Sequence, residues 1–139
     1  MPRRPTPAKS HARTRRDHAS ETAEDYVEAI EDIIATQGEC RVVDLSRRFG
    51  VTHVTVIRTT GRLVRSGLVE TQPYGPLVLT RDGATLARSS RERHSIVLQF
   101  LHALGVSQPA AEIDAEGIEH HCSLETLQKM KEFIAGHGS

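Results

Sequence analysis

Two short helical segments separated by a glycine turn, with a hairpin pattern directly after them, constrain the fold of this chain more than any other feature. Residues 41–49 predict a short helix that Gly50 ends. Thr52 can cap a second helix that runs to about Leu63. This arrangement is a helix-turn-helix, a unit whose second helix is commonly placed in the major groove of DNA.

The residues after the second helix predict a wing. Residues 68–71 and 77–80 are short apolar runs on either side of a Pro/Gly turn, which indicates a hairpin and hence a winged helix. Val54, Ile57 and Leu63 are expected to face the core, so Arg and Thr side chains remain for phosphates and base edges. Similar units also occur in protein-interaction domains. The candidate DNA-binding residues are Thr52, His53, Thr55, Arg58, Thr59 and Arg62.

Apolar residues at three- and four-residue steps predict the remaining helices. Residues 21–36 form an amphipathic pattern, Thr80 can cap a long helix to about residue 104, residues 110–121 predict another, and Ser123 can cap a last one. The helices after the wing lack enough apolar surface to form a core alone, which favours dimerisation. The expected fold is mainly α, an N-terminal winged helix-turn-helix plus a C-terminal all-helical dimerisation domain.

A net charge of zero hides a strong segregation of charge along the chain. Residues 1–20 carry six bases and one acid, residues 21–40 carry seven acids and no base, and residues 41–93 carry ten Arg against four acids. Basic zones suit a polyanion and acidic zones suit a cation, although such charges can simply solvate exposed faces. The expected divisions are a disordered basic tail at 1–20, the DNA-binding domain at 21–82, and the dimerisation and metal-binding domain at 83–139.

Carboxylates and histidines at helical spacing predict a metal site. Positions three and four apart share one helix face, so each cluster can direct several ligands at one point. Oxygen and nitrogen ligands without a thiolate suit Mn²⁺, or another hard to borderline ion, better than a structural zinc. The candidate ligands are Asp25, Glu28, His94, Glu116, Glu119 and His120.

The two cysteines, Cys40 and Cys122, have no CxxC spacing and are expected to be reduced thiols, with a ligand role for Cys122 as the lesser alternative. No run of 18 apolar residues and no secretion signal is found, so we expect no membrane span and a cytoplasmic location. A metalloenzyme would need a substrate site, and neither a separate nucleophile nor a substrate-sized Gly-rich loop is evident. We therefore expect neither an enzyme nor a small-molecule substrate, and a metal-independent winged-helix regulator remains an alternative.

Four stretches resemble the manganese transport regulators, within the wider group of diphtheria-toxin-repressor-like metalloregulators. They are EDYVE at 24–28, LVLT at 77–80, RH at 93–94 and DAEGIEHH at 114–121. The resemblance implies a homodimer that binds Mn²⁺ between its domains and then represses manganese-uptake genes at double-stranded operator DNA. It also implies that the six candidate ligands match a paired metal site.

The resemblance also bears on metal choice. Asp25 and Glu116 stand where iron-selective relatives place soft sulfur ligands, so the manganese branch is favoured over an iron-responsive regulator. Fe²⁺, Co²⁺, Zn²⁺ and Cd²⁺ are possible substitutes, because carboxylates and imidazole accept them too. The wing tip, Tyr74-Gly75-Pro76, departs from the Arg or Lys that many members place before a Gly.

Overall fold

The structure, a computed structural model, describes the backbone of residues 7–137 and the side chains of residues 19–136. Its elements are α1 (Pro7–Gln37), α2 (Val42–Phe49), α3 (His53–Arg65), β1 (Val69–Thr71), β2 (Leu77–Leu79), α4 (Arg81–Ala103), α5 (Gln108–Ile118), a 3-10 turn (Glu119–His121) and α6 (Leu124–His137). The chain divides into two compact units. The N-terminal unit is Ala23–Ser90, and the C-terminal unit combines α1 up to Thr22 with the residues from Arg91 onward.

The N-terminal unit is a winged helix with its own aliphatic core. The rings of Tyr26 and Phe49 stack with centroids 4.6 Å apart. Between α2 and α3 the backbone turns at Gly50, whose φ of 64° is the left-handed conformation that glycine adopts without a Cβ clash. The buried residues of this core are Tyr26, Ala29, Ile30, Ile33, Cys40, Leu45, Val56, Leu63, Val69 and Leu77.

The wing is the antiparallel pair β1 and β2, in which Val69 lies opposite Leu79. Thr80 ends the wing and caps α4, because its hydroxyl oxygen accepts a 3.0 Å hydrogen bond from the Gly83 N–H. A Cβ on Gly83 would lie 2.0 Å from the Leu68 carbonyl oxygen, so only glycine allows α4 to start this close to the wing. These contacts confirm the predicted hairpin and the predicted Thr80 cap.

The C-terminal unit contains the last part of α4, α5, the 3-10 turn and α6. Its apolar core cluster, among the residues whose side chains are described, contains Val97, Ala115 and Leu127. Phe100 and Phe133 meet edge to face with centroids 5.3 Å apart. The predicted cap of α6 is confirmed, because the Ser123 hydroxyl accepts a 3.1 Å hydrogen bond from the Thr126 N–H.

The tail prediction needs a correction. Residues 7–20 are the first part of α1 rather than a disordered segment, while residues 1–6 lie outside the described part of the chain. The sequence lacks apolar periodicity there, but Ala, Lys and Arg are strong helix formers and Pro7 is tolerated at a first helical position. A second difference is that α5 ends at Ile118, and Glu119–His121 forms a 3-10 turn rather than a continuation of the predicted helix.

Among the described residues, no helix combines the length and the hydropathy that crossing a bilayer requires.

Candidate metal centre and nucleic-acid interface

Three of the predicted metal ligands meet within the C-terminal unit. His94 on α4, Glu116 on α5 and Glu119 on the 3-10 turn each offer one ligand atom, and these atoms all lie within 4.8 Å of one another. The 3-10 turn brings Glu119 to this cluster directly after the end of α5. One imidazole nitrogen and two carboxylates at this spacing are a donor set that a divalent cation of hard or borderline character would fit.

Glu119 is the buried member of this cluster. Its side chain is 2% exposed, its Oε2 lies 2.8 Å from His94 Nδ1, and its Oε1 lies 3.3 Å from His120 Nε2. A carboxylate removed from water is costly unless it is paired or binds a cation, so this position indicates an electrostatic role rather than a packing role. His120, also 2% exposed, places a fourth predicted ligand beside the same carboxylate.

A residue that the sequence reasoning missed lies on the other side of the His94 ring. Glu112 Oε2 is 3.7 Å from His94 Nε2, and Glu112 Oε1 accepts a 2.9 Å hydrogen bond from Gln108 Nε2. Glu112 stands four residues before Glu116 on α5, so the same helical spacing that selected Glu116 could have identified it.

The remaining two predicted ligands, Asp25 and Glu28, lie on α1 within the N-terminal unit. They are three residues apart and therefore share a helix face, as the sequence predicts. Both side chains are partly buried.

Cys122 lies next to the 3-10 turn but offers no sulfur to this cluster among the described residues. Burial raises the pKa of its thiol, and nearby Arg93 opposes that rise. The donor set of the described cluster is therefore oxygen and nitrogen.

The predicted DNA-binding residues surround the start and the outer side of α3. Thr52 is the N-cap, since its hydroxyl oxygen accepts a 3.2 Å hydrogen bond from the Thr55 N–H. The side chains of His53, Thr55, Arg58 and Arg62 are exposed, whereas Thr59 is partly buried. Because α3 carries no acidic residue, this surface is positively charged. Such a surface can neutralise phosphates.

The buried face of α3 differs from the predicted one. Val56, Thr60 and Leu63 face the core. Of the three residues predicted to do so, Leu63 is buried as expected, whereas Val54 and Ile57 are exposed. The sequence favoured the more apolar of two helical stripes. The observed stripe includes a threonine because the Thr60 hydroxyl donates a 3.2 Å hydrogen bond to the Ile57 carbonyl oxygen, which satisfies its polar group inside the protein.

Two models of one protein family match the chain over most of its length. The model for the N-terminal DNA-binding domain of iron-dependent repressors matches residues 18–77, and the model for their metal-binding and dimerisation domain matches residues 80–136. The chain belongs to the iron-dependent repressor family. This membership and the winged helix confirm the predicted fold class, with an N-terminal DNA-binding domain and a C-terminal dimerisation domain.

Within that family the chain is similar to the MntR regulators. It is 47% identical over 125 residues to the transcriptional regulator MntR of Escherichia coli O6:H1, which covers 90% of this chain and 81% of the relative. It is 32% identical over 111 residues to the HTH-type transcriptional regulator MntR of Lysinibacillus sphaericus, with 80% of each protein covered. These identities confirm the resemblance seen in the sequence motifs.

Solved structures agree with the fold. A manganese-dependent transcriptional repressor in complex with manganese matches with a TM-score of 0.70 and 27% identity, over 84% of this chain and 52% of that one. The chain spans about half the length of the solved regulator chains that it matches.

Proposed function

We propose that this protein is a manganese-responsive transcriptional repressor, whose Mn²⁺-bound homodimer binds operator DNA and represses manganese-uptake genes. The observation that carries the proposal is the buried Glu119 carboxylate between His94 and His120, in a chain that also contains a winged helix. Relatives named MntR and a manganese-dependent repressor of the same fold support it. We also propose that the protein is cytoplasmic and has no catalytic activity.

The residues that would hold the metal are the six predicted ligands, arranged as a paired site: Asp25, Glu28, His94, Glu116, Glu119 and His120. The oxygen and nitrogen donors and the burial of Glu119 fit such an ion, and no thiol joins the described cluster. When bound, Mn²⁺ would supply positive charge that offsets several carboxylates.

The charges of the proposed ligands explain how metal binding could change DNA binding. Glu116 and Glu119 would repel further carboxylates brought close to them. Asp25 and Glu28 lie on α1 within the DNA-binding domain, so the affinity of the six proposed ligands for metal would differ between the DNA-free and the DNA-bound protein. A coupling of this kind typically amounts to about 1 to 3 kcal/mol between two sites.

The DNA-binding part of the proposal rests on α3 and on dimerisation. Arg58 and Arg62 would neutralise phosphates, with Thr52, His53, Thr55 and Thr59 near base edges. Exposed Ile113 and Leu124 in the C-terminal unit give a second copy of the chain apolar surface to cover. We assign residues 21–82 to DNA binding and residues 83–139 to dimerisation and metal binding. A two-fold dimer would place its recognition helices one helical turn of DNA apart, or a multiple of it.

An iron-responsive repressor is the second candidate, because the matching family models describe iron-dependent repressors. The donor set argues for manganese, since soft sulfur ligands are absent from the described cluster. Fe²⁺, Co²⁺, Zn²⁺ and Cd²⁺ would still bind such ligands, so the response has to be compared between metals.

The test is a titration of the chelator-treated protein with Mn²⁺, Fe²⁺ and Zn²⁺ in separate series at fixed salt. The readout is binding to a labelled promoter fragment from a manganese-importer gene, with an unrelated fragment of equal length as the control. We expect tight and specific binding with Mn²⁺ alone. Equal specific binding without metal would leave a metal-independent winged-helix regulator, and a preference for Fe²⁺ would favour the iron-responsive candidate.

Glu119→Ala and His120→Ala are expected to retain the dimer but to lose Mn²⁺-dependent DNA binding. The matched control is Glu125→Ala, which removes an exposed carboxylate from the first turn of α6. Sedimentation measures the dimer, and the DNA titration measures the response. Normal Mn²⁺-dependent binding by either ligand variant would refute the assignment of that residue.

A further inference from the structure

Helix α3 exposes apolar side chains that do not pack into the core of the N-terminal unit. Val54 is 64% exposed and Ile57 is 58% exposed, while Val56, Thr60 and Leu63 on the opposite face are buried. Residues three apart lie on neighbouring positions of one helix face, so Val54 and Ile57 form a single apolar patch. An exposed apolar patch on an element that is otherwise well packed indicates a contact with something else.

The charges around this patch indicate what it contacts. Arg58, Arg62 and Arg65 lie on the same helix, and no Asp or Glu occurs between His53 and Arg65. A surface that is both apolar and strongly basic fits a polyanion that also presents apolar groups. B-DNA is such a partner, because thymine C5-methyl groups line its major groove between the phosphate backbones.

Gly61 keeps this face of α3 open. It lies four residues after Ile57, on the same side of the helix. A Cβ added to Gly61 would meet a single side-chain atom within 4 Å, Arg65 Nη1 at 3.6 Å, so packing among the described residues does not require a glycine there. Glycine in a helix interior costs about 1 kcal/mol relative to alanine, and close approach of a ligand to the backbone is one reason to retain it.

We propose that Val54 and Ile57 contact thymine C5-methyl groups in the major groove and thereby make adjacent A·T pairs a requirement of each operator half-site. The inference rests on the proposed function and adds its base specificity. Three residues advance a helix by about 4.5 Å, which is close to the base-pair rise of about 3.4 Å. The two side chains would therefore face neighbouring base pairs.

The experiment begins with selection of binding sites from a random DNA duplex library by the Mn²⁺-loaded, full-length protein. The best site is then resynthesised with one thymine at a time replaced by deoxyuridine, which removes only the methyl group. For the wild-type protein we expect about fourfold weaker binding at two adjacent positions of each half-site, the loss that corresponds to one buried methyl group.

Variants connect each methyl group to a side chain. Ile57→Ala is expected to lose the deoxyuridine effect at one of the two positions, and Val54→Ala at the other, because alanine favours the helix but does not reach the methyl group. Ile57→Val should retain the effect. The matched control is Val78→Ala, which shortens an exposed apolar side chain of β2 and should keep the wild-type thymine pattern.

The possible results separate this inference from the proposed function. A selected, Mn²⁺-dependent site that is insensitive to deoxyuridine would overturn the inference alone, as would an unchanged thymine pattern in both alanine variants. If Ile57→Ala instead changed the sedimentation of the protein and left the pattern intact, the patch would be a contact between protein copies. Failure to select any site would overturn the proposed function as well.

Discussion

The two units of the molecule bury different amounts of apolar surface. The N-terminal unit encloses ten buried residues in one aliphatic core, including Leu45 and Val56 with no exposed surface. Among the described residues, the core cluster of the C-terminal unit contains three buried apolar residues, and the same unit buries Glu119 while it exposes Leu104, Ile113 and Leu124.

This difference teaches that the two units need different sources of stability. A unit with a complete core can be stabilised by burial within one chain. A unit with a smaller core gains more from a partner that covers its exposed Ile113 and Leu124 and from a cation that offsets the charge of its buried Glu119. We therefore expect folding stability and metal sensing to be separable in this protein, with metal sensing concentrated in the C-terminal unit, whose core is smaller.

Truncation of one leucine in each core tests the comparison most strongly. Leu45→Ala should lower the free energy of unfolding by about 3 kcal/mol, since it leaves a cavity in a closed core. Leu127→Ala should cost about 2 kcal/mol, because a smaller core collapses more easily. Urea unfolding of the metal-free protein at two concentrations measures both. The Leu127 transition should shift with protein concentration, and equal, concentration-independent losses would remove the distinction between the units.

Addition of one methyl group gives a second test. Gly83→Ala should destabilise the N-terminal unit by about 2 kcal/mol, because its Cβ meets a backbone oxygen that has little freedom to move. The same change at Gly136 in α6 is the control, since a Cβ there meets no heavy atom within 4 Å. Thermal unfolding of both variants measures the effect. A loss for Gly136→Ala as large as that for Gly83→Ala would contradict the structural reason.

The start of α2 contributes a smaller, pH-dependent stability. The Arg41 N–H donates a 2.8 Å hydrogen bond to Asp44 Oδ2, and this bond, with a further one from Gln37, lowers the pKa of Asp44. The group therefore stabilises the fold fully above the unfolded carboxyl pKa of about 3.9, and the contribution is lost as the pH falls through the folded value.

Asp44→Ala should cost about 0.5 kcal/mol at pH 7, at the low end for a helix cap because solvent screens this carboxylate. The difference from wild type should shrink below about pH 4. Urea unfolding across this pH range measures it, with Glu125→Ala in α6 as the control. A difference that grows on acidification would contradict the assignment.

The smallest expected effect is chemical rather than energetic. Burial, with a smaller contribution from Asp44, raises the pKa of Cys40 to about 11, and Cys40 has no exposed surface. Cys122 is partly exposed. At pH 8 we expect iodoacetamide to modify Cys122 well before Cys40, because the reagent needs an accessible thiolate. Peptide mass mapping over time measures both rates, and equal rates would mean that the core around Cys40 opens readily.

The sequence predicted the elements of the winged helix well because single residues determine where these elements start and end. Gly50, Thr80 and the Pro/Gly turn each determine a backbone conformation or a cap by their own chemistry. The boundaries of α2 and of both strands accordingly agree with the prediction to within one residue.

Which face of α3 is buried could not be predicted in the same way. Two stripes of that helix, one through Ile57 and one through Val56, are both compatible with helical spacing, and the packing of the rest of the unit decides between them. The start of α1 was missed because helix propensity without an apolar face leaves no periodic signal. At the candidate site, sequence spacing identified residues that share a helix face, whereas the approach of Glu112 to His94 required the tertiary structure.

The division between the units falls inside helices, at Thr22 in α1 and at Ser90 in α4. In evolution and in protein engineering, domains are most easily exchanged at flexible linkers, and this chain has helices at both divisions instead. A chimera that combines this DNA-binding unit with another sensor has to keep the helical phase across both junctions. One inserted residue would rotate everything after it by about 100° about the helix axis. Exchange between such regulators should therefore succeed most often between partners whose helices match residue for residue.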